Sequence, residues 1–229
     1  MRALLDAAAA WFLGAACPTC GADAAGACAA CRAVLGAPEA FRVPWAAAGV
    51  PVVAAHAYEG VWASAVVAFK ERGSRSLTDV LAGSLACAVA EVLAAGGDGV
   101  QAQPVVLVPM PSRATVVRER GLDTTALLAR RAASLLDAVG LPARSARVLA
   151  HTRRVTDQSG LTIGERRRNL RGALRARRQV PGTVIVIDDL VTTGASLAEA
   201  VRALQAEGMR VAGCGVLCAA LRRHPEHPG

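Results

Sequence analysis

Residues 183–208, TVIVIDDLVTTGASLAEAVRALQAEG, constrain the fold more than any other part of the chain. Four consecutive β-branched residues, 184–187, predict a buried strand. Two acids, Asp188 and Asp189, end that strand, and a Thr-Thr-Gly turn follows. A helix starting near Ala195 is then indicated, because apolar residues recur on one helical face as far as Gly208. The stretch therefore predicts a strand, a tight turn and a helix, in that order.

The rest of the chain alternates in the same way. Short apolar runs predict further strands at 50–58, 104–109, 146–150 and 209–217, and the pattern of residues 121–139 predicts a helix. Such alternation is typical of an α/β fold with a mostly parallel sheet, right-handed crossovers and helices on both faces. Ligands bind at the carboxyl ends of the strands in these folds, which is where the acids of the opening stretch are expected.

The turn after the predicted strand has the chemistry of a phosphate site. Its backbone amides and the helix N-terminus favour an anion, Gly194 allows close approach, and Thr192, Thr193 and Ser196 supply hydroxyl donors. The two acids would repel a phosphate unless they bound other parts of the same ligand, such as sugar hydroxyls and a divalent cation. A phosphorylated ribose fits both requirements. The alternative is a purely structural turn with the same residue types.

This stretch resembles the 5-phosphoribosyl-1-diphosphate (PRPP) motif of type I phosphoribosyltransferases. That motif is an apolar strand, two acids, two variable residues, Thr-Thr-Gly and a small residue. The resemblance implies that Asp188 and Asp189 hold the ribose hydroxyls and Mg²⁺. It also implies a 5′-phosphate site made of Thr192, Thr193, Gly194, Ala195 and Ser196.

Four further segments resemble the ComF/GntX group of that superfamily. They are ALLDAAAAWFLGAACPTCG, YEGVWASAVVAFKERG, VPMPSRATVVRERGLD and DQSGLTIGERRRNL, and they precede the PRPP motif in the expected order. The resemblance implies a phosphoribosyltransferase type I fold, a mostly parallel twisted sheet with helices on both faces, plus a small zinc ribbon-like N-terminal module. Two features depart from the group: Leu122, Asp123 and Thr124 stand where members often have Phe-Asn-Gln, and the two cysteine pairs are unusually close.

The resemblance assigns two more binding elements. The first is a pyrophosphate loop made of Pro109, Met110, Pro111, Ser112 and Arg113. The second is a flexible hood over PRPP within residues 151–178, with the candidate contacts Arg153, Arg154, Gln158, Arg166, Arg168 and Asn169. The alternatives are a proline-rich turn with a solvated arginine for the loop, and a solvated or nucleic-acid-binding face for the hood arginines.

Cysteines define the N-terminal module. Cys17, Cys20, Cys28 and Cys31 form two C-x-x-C pairs, which predict a structural Zn²⁺ site with four thiolate ligands. Redox-active dithiols are the alternative. We expect three regions: a zinc-binding module at 1–42, a phosphoribosyltransferase-like domain at 43–222 and a flexible tail at 223–229.

Cysteine content and hydropathy predict a cytoplasmic protein. No segment is predicted to span a membrane, and residues 1–17 are expected to form a short amphipathic helix rather than an export signal. Seven cysteines, an odd number, are typical of a reducing compartment. The net charge of +8 is local, because residues 144–178 carry eleven arginines and two acids, a sum of +9.

Three functions remain compatible with the sequence. The first is a PRPP-dependent transferase, in which an acceptor nitrogen displaces pyrophosphate; no residue stands out as its general base. The second, implied by the ComF resemblance, is a competence protein that handles single-stranded DNA during uptake together with other competence proteins. The third is a PRPP-sensing regulator without turnover. Trp45, Tyr58 and Trp62 are expected to pack at the domain junction or, alternatively, to stack on single-stranded bases.

Overall fold

The structure is a computed structural model that describes residues 15–96, 103–112, 114–153 and 168–220. Its strands are β1 (Phe41–Arg42), β2 (Val52–Ala57), β3 (Val105–Pro109), β4 (Ala143–Ser145), β5 (Leu149–His151), β6 (Leu174–Ala176), β7 (Thr183–Val191) and β8 (Val211–Ala219). Its helices are α1 (Ala29–Leu35), α2 (Gly60–Lys70), α3 (Thr78–Ala95), α4 (Ala114–Arg120), α5 (Thr124–Ala138) and α6 (Ala195–Gln205), with a 3₁₀ turn at Arg75–Leu77.

The main sheet of the described residues has six strands in the order β1-β2-β8-β7-β3-β4. All neighbouring pairs are parallel except β1 with β2. The prediction of a mostly parallel α/β sheet is therefore confirmed. Strand β7 lies inside the sheet because residues 184–187 are apolar on both faces, and all four are buried.

Helices cover both faces of this sheet, as predicted. On one face, α3 and α5 pack against the side chains of Ile185 and Ile187. On the other face, α6 packs against Val184 and Val186 through the apolar stripe recognised in its sequence. Strand β7 is thus the partner of both helical layers, which fixes the position of the residues that follow it.

One predicted strand does not belong to the main sheet. Residues 146–150 were expected in the sheet, but β5 pairs antiparallel with β6 in a separate two-stranded hairpin. The edge of the main sheet is instead the short strand β4. Val148 and Leu149 are buried in the core layer that contains α6. These apolar residues are therefore buried without belonging to the main sheet.

An ion pair of α6, whose acid is buried and whose arginine is partly exposed, holds the hairpin against the helix. Arg202 donates to both carboxylate oxygens of Glu199, each at 2.8 Å. Glu199 accepts from the Leu174 N–H at 3.2 Å, and Arg202 donates to the Leu174 carbonyl at 3.2 Å. Both backbone groups of this β6 residue are therefore satisfied by side chains of α6.

Helix α3 is the apolar core helix of the molecule. The segment Arg75–Ala95 is long and apolar enough to cross a membrane by length and composition, and it is the one such segment within the described ranges. More than half of it is buried within the fold, where Leu81, Leu85 and Val89 have no exposed surface. A mostly buried helix of this kind is weak support for a membrane span.

Candidate functional site

The carboxyl ends of β3 and β7 bring two distant segments together. Pro109 at the end of β3 pairs with Ile187 in the register of the sheet. The Met110 N–H then donates to the Ile187 carbonyl at 2.8 Å. The loop after β3 and the two acids after Ile187 therefore start side by side at one edge of the sheet.

Gly194 shapes the turn between β7 and α6. Its φ of +70° is left-handed, and it is the N-cap residue of α6. A Cβ at this position would lie 2.1 Å from Cζ3 of Trp45. The turn thus needs glycine for its backbone conformation and for the indole packed on it. A small pocket of about 70 Å³ lies here, lined by Asp188 and by the run from Leu190 to Leu197.

The two acids lie on opposite faces of the sheet, as neighbouring residues of a strand do. Asp188 lines the pocket at the turn, on the face of α6. Asp189 is buried on the other face, and its Oδ1 accepts a hydrogen bond from Lys70 Nζ at 3.0 Å. Its Oδ2 is buried and has no hydrogen-bond partner among the described residues.

Burial and, second to it, the neighbouring Asp189 carboxylate raise the pKa of Asp188 to about 7. The Lys70 ammonium and the Asp189 N–H, which donates to Asp188 Oδ1 at 2.9 Å, act in the opposite direction. The carboxylate of Asp188 therefore titrates close to neutral pH in the absence of a ligand.

Asp188 fits a magnesium ion that arrives with phosphates. Mg²⁺ takes oxygen ligands and is usually held by one or two carboxylates, with substrate oxygens and water completing the shell. Asp188 lines the pocket at the turn, whereas Asp189 does not line it and pairs with Lys70. Bound there with a sugar diphosphate, the ion would neutralise phosphate charge.

A larger cleft of about 1040 Å³ adjoins this edge of the sheet. Its walls are the loop after β3, helix α4, and the residues of β5 together with those that flank it. His151 Nε2 donates to the Pro111 carbonyl at 2.9 Å, and Ser112 Oγ donates to Asp123 Oδ1 at 2.9 Å. The predicted pyrophosphate loop is thus held at two consecutive residues, both facing the cleft.

Asp123 lines the cleft and accepts hydrogen bonds from three different segments. It is the N-cap of α5, accepting from the Ala126 N–H at 3.2 Å, and its Oδ2 accepts from Arg147 at 2.9 Å. The residue that departs from the ComF/GntX pattern therefore joins the loop after β3, helix α5 and an arginine between β4 and β5. An asparagine in its place would offer one acceptor oxygen, too few for this set of contacts.

The cleft is strongly cationic. Its described lining contains the guanidinium groups of Arg118, Arg147, Arg153 and Arg177 and a single carboxylate, that of Asp123. Of these arginines, Arg147 pairs with Asp123, which leaves an excess of positive charge facing solvent. This is the composition expected of a surface that binds phosphate groups.

Only part of the predicted hood lies within the described residues. Arg153 Nη2 donates to the Asn169 carbonyl at 2.6 Å, which joins the two sides of the hood at its base. Arg168 is exposed beside it. The other hood candidates, Arg154, Gln158 and Arg166, lie outside the described residues, as does Arg113 of the predicted pyrophosphate loop.

The four N-terminal cysteines form a cluster with the dimensions of a zinc site. Their Sγ atoms all lie within 4.8 Å of one another, and those of Cys20 and Cys28 are 3.7 Å apart. Tetrahedral Zn–S bonds of about 2.3 Å place sulfur atoms about 3.8 Å apart, so the cluster could bind Zn²⁺ with little rearrangement. All seven cysteines of the chain are free of disulfides.

Two of these thiols differ in acidity. Burial raises the pKa of Cys17, but backbone N–H groups, including that of Cys28 at 3.4 Å, outweigh burial and lower it to about 6. Burial and the neighbouring thiols raise the pKa of Cys31. A metal ion bound by all four sulfurs would have to displace the Cys31 proton.

Comparison with known proteins gives a family match in the C-terminal part of the chain. Residues 127–228 match the family model of the phosphoribosyl transferase domain. This part of the chain is therefore similar to a phosphoribosyl transferase domain. This match supports the type I phosphoribosyltransferase superfamily expected from the sequence, and it includes the strand, acids and turn described above.

Among solved structures, a hypoxanthine phosphoribosyltransferase from Staphylococcus aureus is similar to this chain at 12% identity and a TM-score of 0.31. The alignment covers 64% of this chain and 66% of that one. None of the curated proteins matches the sequence.

Three residues at the candidate site were missed at the level of the sequence: Lys70, His151 and Trp45. Each reaches the site from a distant segment, so local patterns did not reveal them. Lys70 offered one signal, since it is the only lysine in the chain. Tyr58 and Trp62, in contrast, pack in the main core, where Trp62 stacks on His56 with ring centroids 5.0 Å apart.

Proposed function

We propose that this protein is a ComF/GntX-type phosphoribosyltransferase-fold protein that binds PRPP with Mg²⁺ and transfers the phosphoribosyl group to an acceptor nitrogen. One observation carries the proposal: Asp188 lines the pocket at the glycine turn of α6, while the loop after β3 begins beside it on the neighbouring strand. The residues proposed to bind a 5′-phosphate, ribose hydroxyls and a pyrophosphate would therefore adjoin one another at one edge of the sheet.

In the proposed reaction, the bond from C1 of the ribose to pyrophosphate breaks and its electron pair leaves with the pyrophosphate. The lone pair of the acceptor nitrogen forms the new bond to C1, and the acceptor loses a proton. The turn at 192–196 would hold the 5′-phosphate, and the loop at 109–112 with the arginines of the cleft would hold the leaving group. Positioning and charge stabilisation would supply most of the catalysis.

The proposal extends to the cysteine cluster and to the cellular setting. We assign the cluster to one structural Zn²⁺, because all four ligand positions are filled by protein and none is left open for chemistry. We place the protein in the cytoplasm, since seven free thiols agree with a reducing compartment. The proposed regions are a zinc-binding module at 1–42, the transferase-like domain at 43–222 and a tail at 223–229.

Binding and turnover test the proposal separately. Titration calorimetry with PRPP and Mg²⁺ should show binding to the wild-type protein, strongly weakened in Asp188→Asn and unchanged in Asp137→Asn, whose aspartate is exposed on α5. Pyrophosphate release should then be followed over a panel of nucleobases and amines. An absence of PRPP binding would contradict the whole proposal. Binding without release over the panel would instead favour a PRPP-sensing regulator.

The cationic cleft favours a second candidate function, the handling of single-stranded DNA during competence. The four arginines of the described lining form an electrostatic surface suited to a phosphate backbone. The competence proteins that would act with it are partners implied by the ComF resemblance alone. Both proposed functions use the arginines of the same cleft, so a nucleic acid and the pyrophosphate group of PRPP would compete for them.

A further inference from the structure

Lys70, the last residue of α2, reaches the acid pair from a segment 119 positions earlier in the chain. Its Nζ donates to Asp189 Oδ1 at 3.0 Å. The Asp189 side chain is 5% exposed and that of Lys70 is 36% exposed, so the contact is shielded on the acid's side and open on the lysine's. The only lysine of the chain is thus placed against an acid of the sugar phosphate site.

The contact with Lys70 matters because the Asp189 carboxylate is buried. An ionised carboxylate that is almost fully buried needs a counter-charge or several hydrogen bonds. Asp189 Oδ2 has no hydrogen-bond partner in the described part of the chain, so the hydrogen bond from Lys70 to Oδ1 is the one recorded for this carboxylate there. The ammonium group therefore holds the orientation of the carboxylate toward α2.

The end of α2 is itself held in place. Two residues beyond Lys70, Arg72 Nη2 donates to the carbonyl of Pro18, between the first two cysteines of the cluster, at 2.6 Å. The α2 helix also packs beside α1, which carries Cys31. The end of α2 that carries Lys70 is therefore connected to the cysteine module, and a residue that orients another side chain needs such support.

We propose that Lys70 is a positioning residue of the sugar phosphate site, which holds Asp189 on the α2 face so that Asp188 is the acid presented to the ribose hydroxyls. This inference rests on the proposed function. It assigns the two neighbouring acids different roles: Asp188 contacts the ligand directly, while Asp189 and Lys70 form a fixed pair beneath the ligand.

Lys70→Met tests the inference, because it removes the ammonium and keeps most of the aliphatic stem. We expect the affinity for PRPP with Mg²⁺, measured by calorimetry, to fall roughly tenfold. Lys70→Arg should restore part of the loss, since it returns a positive charge. A merely structural role would lower the urea midpoint of unfolding and leave the affinity of the folded protein unchanged, so both quantities are measured on each variant.

A double-mutant cycle isolates the pair. Asp189→Asn combined with Lys70→Met should weaken binding no more than the more harmful single change, because both remove the same contact. The double variant also avoids a buried unpaired carboxylate, so it remains informative if Lys70→Met fails to fold. Asp79 and Arg131, an exposed ion pair at 2.8 Å, provide the matched control, and the cycle Asp79→Asn with Arg131→Met should leave the affinity unchanged.

Wild-type affinity in Lys70→Met, within about twofold, would overturn the inference while leaving the proposed function intact. If the wild-type protein binds no PRPP, the proposed function fails, and a ligand-free crystal structure still decides the role of Lys70. In crystal structures of Lys70→Met or of the alternative single variant Lys70→Gln, we expect the Asp189 carboxylate to turn away from α2. A carboxylate that keeps its wild-type orientation without the ammonium would refute the positioning role.

Discussion

Asp188 and Asp189 show how two identical side chains acquire different properties from one backbone. Strand geometry sends them to opposite faces, so Asp188 meets the pocket at the turn and Asp189 meets Lys70. Only Asp188 lacks a cation in direct contact among the described residues, and burial beside a second acid raises its pKa to about 7. The ligand-free protein is therefore destabilised at the position proposed to bind its substrate.

Asp188→Asn should stabilise the ligand-free protein at pH 8. The pKa of Asp188 rises from 3.8 when unfolded to about 7 when folded, so the folded state holds the proton more tightly. Its stability then falls as pH rises from about 4 to about 7, and the full penalty is present above that range. We expect urea denaturation to show a gain on the order of 2 kcal/mol at pH 8. The gain should vanish below the unfolded pKa of 3.8, where Asp188 is protonated in both the folded and the unfolded state.

Asp137→Asn is the control for that comparison and should change stability little at either pH. A loss of stability in Asp188→Asn at pH 8 would contradict the prediction. The activity of Asp188→Asn is expected to fall although its stability rises, because the substitution removes both the destabilising buried charge and the proposed contact with the ligand.

Gly194→Ala should destabilise the protein by about 2–4 kcal/mol, since it combines backbone strain at φ +70° with displacement of the Trp45 ring. Gly208→Ala is the matched control. Its φ of +74° is equally left-handed, but the nearest atom to a Cβ, Gln179 Nε2, is 3.8 Å away, so about 1 kcal/mol is expected. Equal losses in the two variants, measured by urea denaturation, would show that the indole contact contributes nothing.

Among the structural elements, the cysteine module has the least support of its own. Helix α1 has seven residues and no side-chain cap at its N-terminus. Three residues of the module, Cys17, Ala24 and Cys31, form a very small apolar cluster, while Ala27 and Leu35 reach into the main core. Ser84 Oγ of α3 donates to the Leu35 carbonyl at 2.6 Å. A small unit of this kind needs a staple, which a metal ion would provide.

Cys20→Ser should abolish zinc binding. Metal analysis of the purified wild-type protein is expected to give about one Zn²⁺ per chain, and the variant close to none, because the fourth ligand of a tetrahedral site is lost. The melting temperature should fall as well, since zinc binding contributes directly to folding. Cys87→Ser changes an exposed cysteine outside the cluster and should retain full zinc content. The prediction would be contradicted if the purified wild-type protein contained no zinc and had the same melting temperature as Cys20→Ser.

At the scale of the whole molecule, charge is separated across the edge of the sheet. The acid pair at the end of β7 lies beside a cleft whose described lining has four arginines and one acid. Acids beside arginines suit a ligand that has both hydroxyls and phosphates. The arginines alone would suit the phosphate backbone of a nucleic acid. The α2 end joins the cysteine module to the same edge, so the N-terminal module and the site share one support.

Single-stranded DNA binding should depend steeply on salt if the cleft is its surface. Replacing Arg118 and Arg177, both exposed in the cleft, with glutamine should reduce the slope of log affinity against log salt by about 0.7 for each lost phosphate contact. Arg42→Gln, on the opposite edge strand β1, should leave the slope unchanged. No detectable binding at low salt, or equal slopes in all variants, would remove the nucleic-acid function from consideration.

The sequence determined the parts that depend on local pattern. Consecutive apolar residues, turn chemistry and helical periodicity predicted β7, α6 and the parallel sheet, because buried strands and helix starts are specified by nearby residues. The C-x-x-C pairs likewise predicted a cluster that the fold brings to within 4.8 Å. The pattern failed for residues 146–150, because apolar side chains are buried equally well by a sheet or by a helix packed over a hairpin.

Only the tertiary structure decided how the site is divided. Lys70, Trp45 and His151 reach the site across long stretches of chain, and no local pattern encodes such contacts. The roles of the two acids also depended on the fold, since sequence gives their order but not which face each side chain meets. Burial and distance set their charges, and both properties exist only after the chain has packed.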